Sequence, residues 1–206
     1  MTEKLVLHEY AASGNCYKVR LTAALAGVPL ERREYDIMKG ETRTPEFLAD
    51  VNANGRIPVL QVGDRFIPES NAASYYLADR SNLIPTEPFD HADMLRWLFW
   101  EQYNHEPNIA TLRFWMHEIG LDRLNEAQRL QMTPKRQAGN AALKLMDDHL
   151  NGRDWLVGDR PTLADICLFA YTHVADEAGF DVEIYPNVIH WMEQIMSLPG
   201  FISMEA

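Results

Sequence analysis

Residues 52–70 read NANGRIPVLQVGDRFIPES. Residues 58–62 are an apolar run of the kind that forms a buried strand, and residues 65–67 are a second short run. The Gly-Asp pair between the two runs is a turn dipeptide, so the stretch predicts an antiparallel hairpin. Ser70 then predicts the N-cap of a helix that runs to residue 79.

The residues before this hairpin alternate between strand and helix signals. Four elements are predicted there: a strand over 5–10, a helix over 16–26, a strand over 30–36 and a short helix over 45–50. Ser13 and Thr44 have the chemistry of N-caps, and Gly27 that of a helix stop. The first part of the chain is therefore predicted to follow the order βαβαββα, with its first two strands parallel and its last two antiparallel.

The remainder of the chain has hardly any strand signal. Helices are predicted over 90–103, 108–118, 134–150, 163–170 and 186–196. Pro107 marks a break or kink, and Thr133 followed by Pro134 is typical of a helix start. Thr162 and Asp165 fit a capping box at the start of a helix that is apolar nearly all round. An α/β domain over 1–80, a linker over 81–89 and an all-helical domain over 90–206 are the predicted units.

Composition excludes several classes of protein. The chain of 206 residues has a formal net charge of −11, with −1 in residues 1–80 and −10 in residues 81–206. Nucleic acid and anionic membranes demand clustered Lys and Arg, so neither is expected as the main partner. No apolar run is long enough for a membrane span, and the first ten residues do not resemble a signal peptide. Two cysteines, Cys16 and Cys167, favour a reducing, cytoplasmic location.

Taken together, these motifs resemble those of the cytosolic glutathione transferases. The resemblance rests on the βαβαββα order, the Ile57-Pro58 step, the Glu69-Ser70 pair and the all-helical second unit. Residues 162–165 are similar to that family's buried capping box, and residues 155–158 are similar to its usual lead-in. The resemblance covers essentially the whole chain. It implies a thioredoxin-like N-terminal domain, a homodimer, and glutathione as co-substrate.

The resemblance also implies where glutathione binds. The resemblance implies that the peptide bond before Pro58 is cis, as it is in the family. The alternative is an ordinary trans proline. The backbone of Ile57 would then pair with glutathione as with an added strand. Glu69 would accept a hydrogen bond from the γ-glutamyl ammonium group, and the helix start at Ser70 would bind its carboxylate.

Two arginines are the predicted partners of the glycyl carboxylate. Arg43 and Arg56 fall where many members of the family place side chains around that end of glutathione. The alternative for each is an ordinary solvated surface charge. Lys39 and Thr42 are weaker candidates for the same role.

The catalytic group must keep the glutathione thiol deprotonated, because the thiolate is the nucleophile. Ser13, Asn15 and Cys16 lie at the predicted start of the first helix, and each resembles a different branch of the family. Ser13 matches the serine of the theta-like and zeta-like branches and is the preferred donor. Asn15 together with Ser13 resembles bacterial disulfide reductases, and Cys16 falls at the cysteine of the beta branch. Each also has a structural alternative: the first two as helix caps, and Cys16 as a small buried side chain.

The electrophile site is expected beside the second unit's first helices. Its candidate residues are Trp100, Tyr103 and Asn104, which recur at helical spacing, and Trp115, which follows after the expected break or kink. Core packing is the alternative for such a stripe. The histidines show no metal-ligand spacing with other His or Cys, so no metal is predicted.

The resemblance thus implies a detoxification enzyme that activates reduced glutathione for attack on a small apolar electrophile. Three alternatives stay open on the same fold: a glutathione-dependent disulfide reductase, a glutathione-dependent isomerase, and a non-catalytic binding module.

Overall fold

The computed structural model describes residues 4–79 and 81–206. Residues 1–3 and residue 80, where the predicted first domain begins and ends, lie outside the described residues. The chain divides into two compact units: one extends to Ile84 and also includes Leu198–Ala206, and the other is Pro85–Ser197. The segment after residue 197 therefore belongs with the α/β unit and not, as the sequence predicts, with the helical one.

The α/β unit has the predicted element order. Its elements are β1 (Leu5–Glu9), α1 (Gly14–Leu25), β2 (Glu31–Glu34), α2 (Pro45–Asp50), β3 (Val59–Val62), β4 (Arg65–Pro68) and α3 (Ser70–Ala78), with short 3-10 turns at Ile37–Lys39 and Glu41–Arg43. The strand order in the sheet is β2-β1-β3-β4. β1 pairs in parallel with β2, whereas β3 is antiparallel to both β1 and β4. The predicted thioredoxin-like arrangement is confirmed.

Helix caps fix the ends of these elements, and one prediction about them is wrong. Ser13 is the N-cap of α1 and Thr44 the N-cap of α2, as predicted. Gly27 adopts a φ of +66° just past α1, a conformation that glycine reaches without strain. Ser70, however, does not cap α3: Glu69 is the N-cap, and Ser70 is the first helical residue. The hydroxyl of Ser70 is therefore available for contacts outside its own helix.

The C-terminal segment is tied to the α/β unit through backbone carbonyls. The hydroxyl of Tyr17 donates to the carbonyl of Ile202 at 2.8 Å, and Nη2 of Arg20 donates to the carbonyl of Met204 at 2.6 Å. These partners are more than 180 residues apart in sequence. Local sequence patterns do not encode such contacts, which is why the prediction assigned the segment to the wrong unit.

The helical unit contains long helices broken by two π-helical segments. Its elements are α4 (Pro88–Trp100), a π-helical segment (Glu101–His105), α5 (Glu106–Arg113), a second π-helical segment (Phe114–Ile119), α6 (Glu126–Leu150), α7 (Leu163–Thr172) and α8 (Pro186–Met196), with 3-10 turns at Leu121–Arg123, Asp176–Ala178 and Val182–Ile184. Pro107 lies in the first turn of α5, directly after the first π-helical segment, so the helix does not break there: helical structure is continuous from Pro88 to Ile119. In the part of the chain that the structure describes, no helix has both the length and the hydropathy to span a membrane.

The start of α6 corrects the sequence prediction. The helix begins at Glu126, eight residues before the predicted start, and Pro134 lies inside it. Asn125 and Gln128 form a reciprocal capping box, with both hydrogen bonds at 2.9 Å. That box satisfies two N–H groups at the helix end, so it sets the start. The cap signal at Thr133 is not used.

The predicted capping box at Thr162 is confirmed, and its carboxylate is buried. Asp165 accepts hydrogen bonds from the N–H of Thr162 at 2.8 Å, the Thr162 hydroxyl at 2.9 Å, the N–H of Leu156 at 2.9 Å and Nε1 of Trp191 at 2.9 Å. Burial raises the pKa of the Asp165 carboxyl above its ordinary value, and these donors oppose the rise. Every residue of α7 is buried, so this helix is the core of the unit.

Candidate active site

The three predicted catalytic residues lie together at the start of α1. Ser13 has an extended backbone, and its Oγ accepts a hydrogen bond from the N–H of Cys16 at 3.4 Å. The N–H of Ser13 donates to the carbonyl of Tyr10 at 2.9 Å, which closes the turn between β1 and α1. Ser13 and Asn15 are half-buried. Both therefore combine a polar side chain with access to solvent at the positive end of a helix dipole.

Cys16 has a different environment from its two neighbours. Its side chain is fully buried, and its sulfur accepts a hydrogen bond from the N–H of Tyr10 at 3.4 Å. Burial raises the pKa of the Cys16 thiol to about 12. A thiol with that pKa is protonated at neutral pH and is a poor nucleophile. This environment argues against a mixed disulfide between Cys16 and glutathione.

A buried lysine, which sequence reasoning did not identify, connects α1 to α3. Lys18 has no exposed surface, and its Nζ donates to Oδ1 of Asn71 at 2.8 Å, Oγ of Ser70 at 3.1 Å and Oδ1 of Asn15 at 3.3 Å. The Ser70 hydroxyl in turn donates to Oδ1 of Asn15 at 3.2 Å. The four residues define what we call the Lys18 cluster. It brings Asn15 and Ser70, two of the predicted site residues, into contact.

A signal for Lys18 was present in the sequence. The helix that contains it is otherwise apolar at most of its buried positions, so a lysine there needs partners. Lys18 also follows Asn15 by three residues, a spacing that places two side chains on the same face of a helix. Its other partners are more than 50 residues away in the chain. The lysine was therefore recognisable as unusual, but its partners were not.

The N-terminus of α3 has a strained backbone. Glu69 is exposed and has a φ of 73°, and among the described residues it is the one non-glycine with a positive φ. A residue in this region costs about 1–3 kcal/mol relative to an ordinary conformation, and such residues cluster at functional sites. Ser70 is 6% exposed. The predicted pair thus consists of an exposed carboxylate and a buried hydroxyl.

The Ile57–Pro58 peptide bond is cis, which confirms that prediction. Ile57 is half-buried, Pro58 is buried, and β3 begins at the next residue. The register pairs Val59 with His8 near the end of β1. Pro58 therefore lies along the sheet next to the turn that leads into α1.

The two predicted arginines are exposed and lie on either side of α2, with Arg43 in the 3-10 turn before it and Arg56 in the loop after it. Nη1 of Arg43 donates to the carbonyl of Asn54 at 3.0 Å, and the guanidinium group lies against Gly55. A Cβ at Gly55 would meet Nη1 at 2.5 Å, and the φ there is +62°, so only glycine allows this approach. The carbonyl of Arg56 accepts a hydrogen bond from Nδ2 of Asn52 at 2.9 Å. The contacts of Arg43 with Asn54 and Gly55 thus bring one exposed positive charge to the loop that contains the other, just before the cis-proline segment.

A buried ion cluster supports the turn between β1 and α1. Glu9 has no exposed surface, and its carboxylate accepts from Nη1 of Arg20 at 2.6 Å and from Nε of Arg32. Arg20 also donates to the carbonyl of Ala11 at 3.2 Å. Because Ala11 precedes Ser13 by two residues, this cluster fixes the backbone that leads to the predicted catalytic serine.

The predicted electrophile residues have unlike environments in the helical unit. Tyr103 is 84% exposed, Asn104 is exposed, Trp100 is half-buried and Trp115 is buried. Nζ of Lys135 lies 5.8 Å from the centre of the Trp115 ring. A groove of about 510 Å³ in this unit is lined by other residues: Arg129, Met132, Thr133, Arg136, Gln137 and Asn140. Residues 4–79 and 81–206 contain no group of three metal-ligating side chains.

Both halves of the chain match models of a known family. Residues 5–79 match the glutathione S-transferase N-terminal domain, and residues 110–199 match the glutathione S-transferase C-terminal domain. These two matches cover most of the chain. They correspond to the α/β unit and to most of the helical unit.

Solved structures and a curated protein agree with that match. A glutathione S-transferase from Pseudomonas fluorescens is 42% identical, with a TM-score of 0.91, over 97% of this chain and 98% of that one. One from Xanthobacter autotrophicus is 37% identical, with a TM-score of 0.90, over 98% and 97%. Maleylacetoacetate isomerase from Rhizobium meliloti is 29% identical over 92% of this chain and 90% of its own. The chain therefore belongs to the glutathione S-transferase family.

Proposed function

We propose that this protein binds reduced glutathione along the start of β3 and across the N-termini of α1 and α3, and transfers it to a small apolar electrophile. The observation that carries the proposal is the hydrogen bond between Ser70 and Asn15, 3.2 Å long. It links the predicted γ-glutamyl end of the site to the predicted thiol end. Membership of the glutathione S-transferase family supports glutathione as the ligand.

In this proposal each part of glutathione has its own partners. The γ-glutamyl ammonium group is bound by Glu69 and its carboxylate by the N-terminus of α3, because a helix start binds anions. The cysteinyl backbone pairs with Ile57 as an added strand. The glycyl carboxylate is bound by Arg43 and Arg56, whose side chains are exposed on either side of α2.

The thiol is activated at the start of α1. A free thiol has a pKa of about 8.5, and one hydrogen bond together with the dipole of α1 lowers this pKa by about 1–2 units. The Ser13 hydroxyl donates that hydrogen bond, and the thiol proton leaves to water. The thiolate then attacks the electrophile directly, so the reaction needs no covalent enzyme intermediate. Trp100, Tyr103, Asn104 and Trp115 remain candidates for electrophile contacts.

The Ser13→Ala variant tests this assignment against Asn15→Ala. Loss of the thiolate donor is expected to lower kcat about 10- to 100-fold with an aryl halide electrophile. Affinity for S-methylglutathione, measured by calorimetry, should change less than about threefold, since that ligand has no thiol to stabilise. Unchanged turnover in Ser13→Ala would transfer the donor role to Asn15. Absence of any glutathione binding by the unmodified protein would refute the proposal itself.

Glutathione-dependent disulfide reduction is a second candidate. It is favoured by the carboxamide of Asn15, which contacts both Lys18 and Ser70, because Asn15 with Ser13 resembles the disulfide-reductase branch. Conjugation and reduction of a small disulfide should be assayed on one preparation. Reductase turnover that exceeds conjugation and depends on Asn15 would favour this candidate.

Isomerisation is a third candidate, supported by the similarity to maleylacetoacetate isomerase. Turnover of maleylacetoacetate with catalytic glutathione would identify it. A non-catalytic glutathione-binding module would bind the tripeptide and fail all three assays.

We further propose that the protein is a homodimer, as the family resemblance implies. Two aromatic side chains at or just beyond the C-terminal end of α4 are highly exposed in the single chain: Phe99 at 72% and Tyr103 at 84%. Light scattering coupled to size-exclusion chromatography should give twice the single-chain mass of 23.7 kDa. A mass of one chain at micromolar concentration would contradict the dimer.

A further inference from the structure

Lys18 is buried at a position where an apolar side chain would cost less free energy to bury. Removing an ammonium group from water costs several kcal/mol unless its partners compensate. Lys18 donates to neutral oxygens of two carboxamides and one hydroxyl, from α1 and from α3. Packing alone does not explain a cation with these acceptors, because a methionine would fill similar space.

An ammonium group constrains the carboxamides that face it. It has three donors and no acceptor, so the atom of an asparagine that points toward it must be the oxygen. Oδ1 of Asn15 lies 3.3 Å from Nζ of Lys18 and 3.2 Å from Oγ of Ser70. Since both neighbours bind that oxygen, the carboxamide cannot flip without placing its NH₂ group against a cation. The NH₂ group of Asn15 is thereby held on the other side of Cγ.

We propose that Lys18 is a positioning residue for thiol activation and acts through Asn15. By fixing Oδ1, it keeps the NH₂ group of Asn15 oriented as a second donor to the glutathione thiolate, beside the Ser13 hydroxyl. Asn15 donates this hydrogen bond without ionising, and the thiol proton still leaves to water. The inference rests on the proposed glutathione site.

Ser70 gives the arrangement a further consequence. Its hydroxyl accepts from Lys18 and donates to Asn15, so one side chain of the γ-glutamyl site contacts both members of the pair. Asn71, at the next position, accepts from the same ammonium group at 2.8 Å. Substitution of Lys18 therefore changes the orientation of the Asn15 carboxamide at the thiol end of the site, although Lys18 itself has no exposed surface.

The test is a double-mutant cycle that measures the pKa of the thiol of bound glutathione. Thiolate absorbance is titrated against pH at saturating glutathione in the unmodified protein, Lys18→Met, Asn15→Ala and the double variant. Each single substitution should raise the thiol pKa by about half a unit to one unit. If Lys18 acts through Asn15, the double variant should match Asn15→Ala. Additive shifts, or no shift in Lys18→Met, would overturn the inference.

A second variant avoids the risk that Lys18→Met does not fold. Asn15→Asp preserves an oxygen for Lys18 and Ser70 and removes only the NH₂ donor. Its melting temperature should equal or exceed that of the unmodified protein, because Lys18 gains a carboxylate partner, while the thiol pKa rises by at least as much as in Asn15→Ala. A thiol pKa unchanged in Asn15→Asp would overturn the inference.

Controls separate this inference from the proposed function. Lys144→Met removes an exposed lysine that pairs with Asp148 at 2.7 Å, and it should leave the thiol pKa unchanged. If the unmodified protein shows neither heat of binding nor thiolate absorbance with glutathione, the proposed function fails and this inference fails with it. If the unmodified protein shows both but the cycle is additive, only the role of Lys18 fails.

Discussion

The two units bury charged groups in different ways. Asp165 in the helical unit accepts from four donors, and two of these come from its own capping box. Lys18 in the α/β unit instead spans two helices and binds side chains at a predicted ligand site. The first arrangement holds a core together, and the second orients polar groups for a ligand. Burial of a charge alone does not distinguish these roles, but the location of its partners does.

Replacing Asp165 should have the largest effect on stability. Asp165→Ala leaves the N–H groups of Leu156 and Thr162 and the indole of Trp191 without an acceptor in a buried place, so we expect a loss of about 3–5 kcal/mol in the free energy of unfolding. Chemical denaturation measures this. The matched control is Asp148→Ala, which removes an exposed ion pair and should cost less than about 1 kcal/mol. Similar losses in both variants would contradict the structural role of the buried carboxylate.

Glu9→Gln is expected to have the next largest effect. It removes the negative charge that pairs with Arg20 and Arg32 but leaves one acceptor oxygen, so about 2–4 kcal/mol should be lost. Glu31→Gln, at an exposed ion pair with Lys4, is the control and should cost less than about 1 kcal/mol. A loss of this size would refine the comparison of the two units, because the α/β unit would then also contain a charge cluster that contributes to stability.

Removing a predicted ligand contact should change binding and leave stability alone. Arg43→Met is expected to weaken glutathione binding about threefold to tenfold, since an exposed arginine–carboxylate contact contributes about 1 kcal/mol. Calorimetry measures the affinity, and the melting temperature serves as the control. An affinity equal to that of the unmodified protein would assign Arg43 to the solvated surface.

The pH dependence of stability should be the smallest effect. His8 is 1% exposed; its Nδ1 lies 2.8 Å from the Tyr35 hydroxyl and its Nε2 3.0 Å from Oε1 of Gln61. Burial, with a smaller contribution from the charge of Arg33, lowers the pKa of His8 below its ordinary value of 6.5, against the opposing hydrogen bond to Gln61. The unfolded chain therefore binds the proton more readily than the folded protein does.

Stability contributed by neutral His8 is accordingly complete above pH 6.5 and declines as the pH falls below it. One differential proton gives a slope of at most about 1.4 kcal/mol per pH unit. Denaturation between pH 7.5 and 5.5 should show this decline, and His8→Gln should reduce it. An equal slope in that variant would assign the decline to other groups.

Sequence reasoning succeeded where the determinants are local. The cap at Ser13, the capping box at Thr162 and the bounds of α8 depend on neighbouring residues and were predicted. The start of α6 was not, because the predicted start relied on Thr133 and Pro134, whereas the helix begins at the capping box of Asn125, eight residues earlier.

The rest of the site depends on contacts between distant residues. Asn15 and Ser70 were each predicted as site residues, but their contact joins positions 55 residues apart and could not be derived from spacing. Lys18 was missed for the same reason, since its acceptors on α3 lie 52 and 53 residues away. Family resemblance supplied candidate residues without supplying the hydrogen bonds between them.

The return of Leu198–Ala206 to the first unit affects how the chain folds during synthesis. Ile202 and Met204 provide carbonyl acceptors for Tyr17 and Arg20, and the ribosome reaches them only after the whole segment Pro85–Ser197 has been made. At about 5–20 residues per second, that segment takes roughly ten seconds to translate. The nascent α/β unit therefore has an incomplete set of hydrogen bonds until residues 198–206 have been translated.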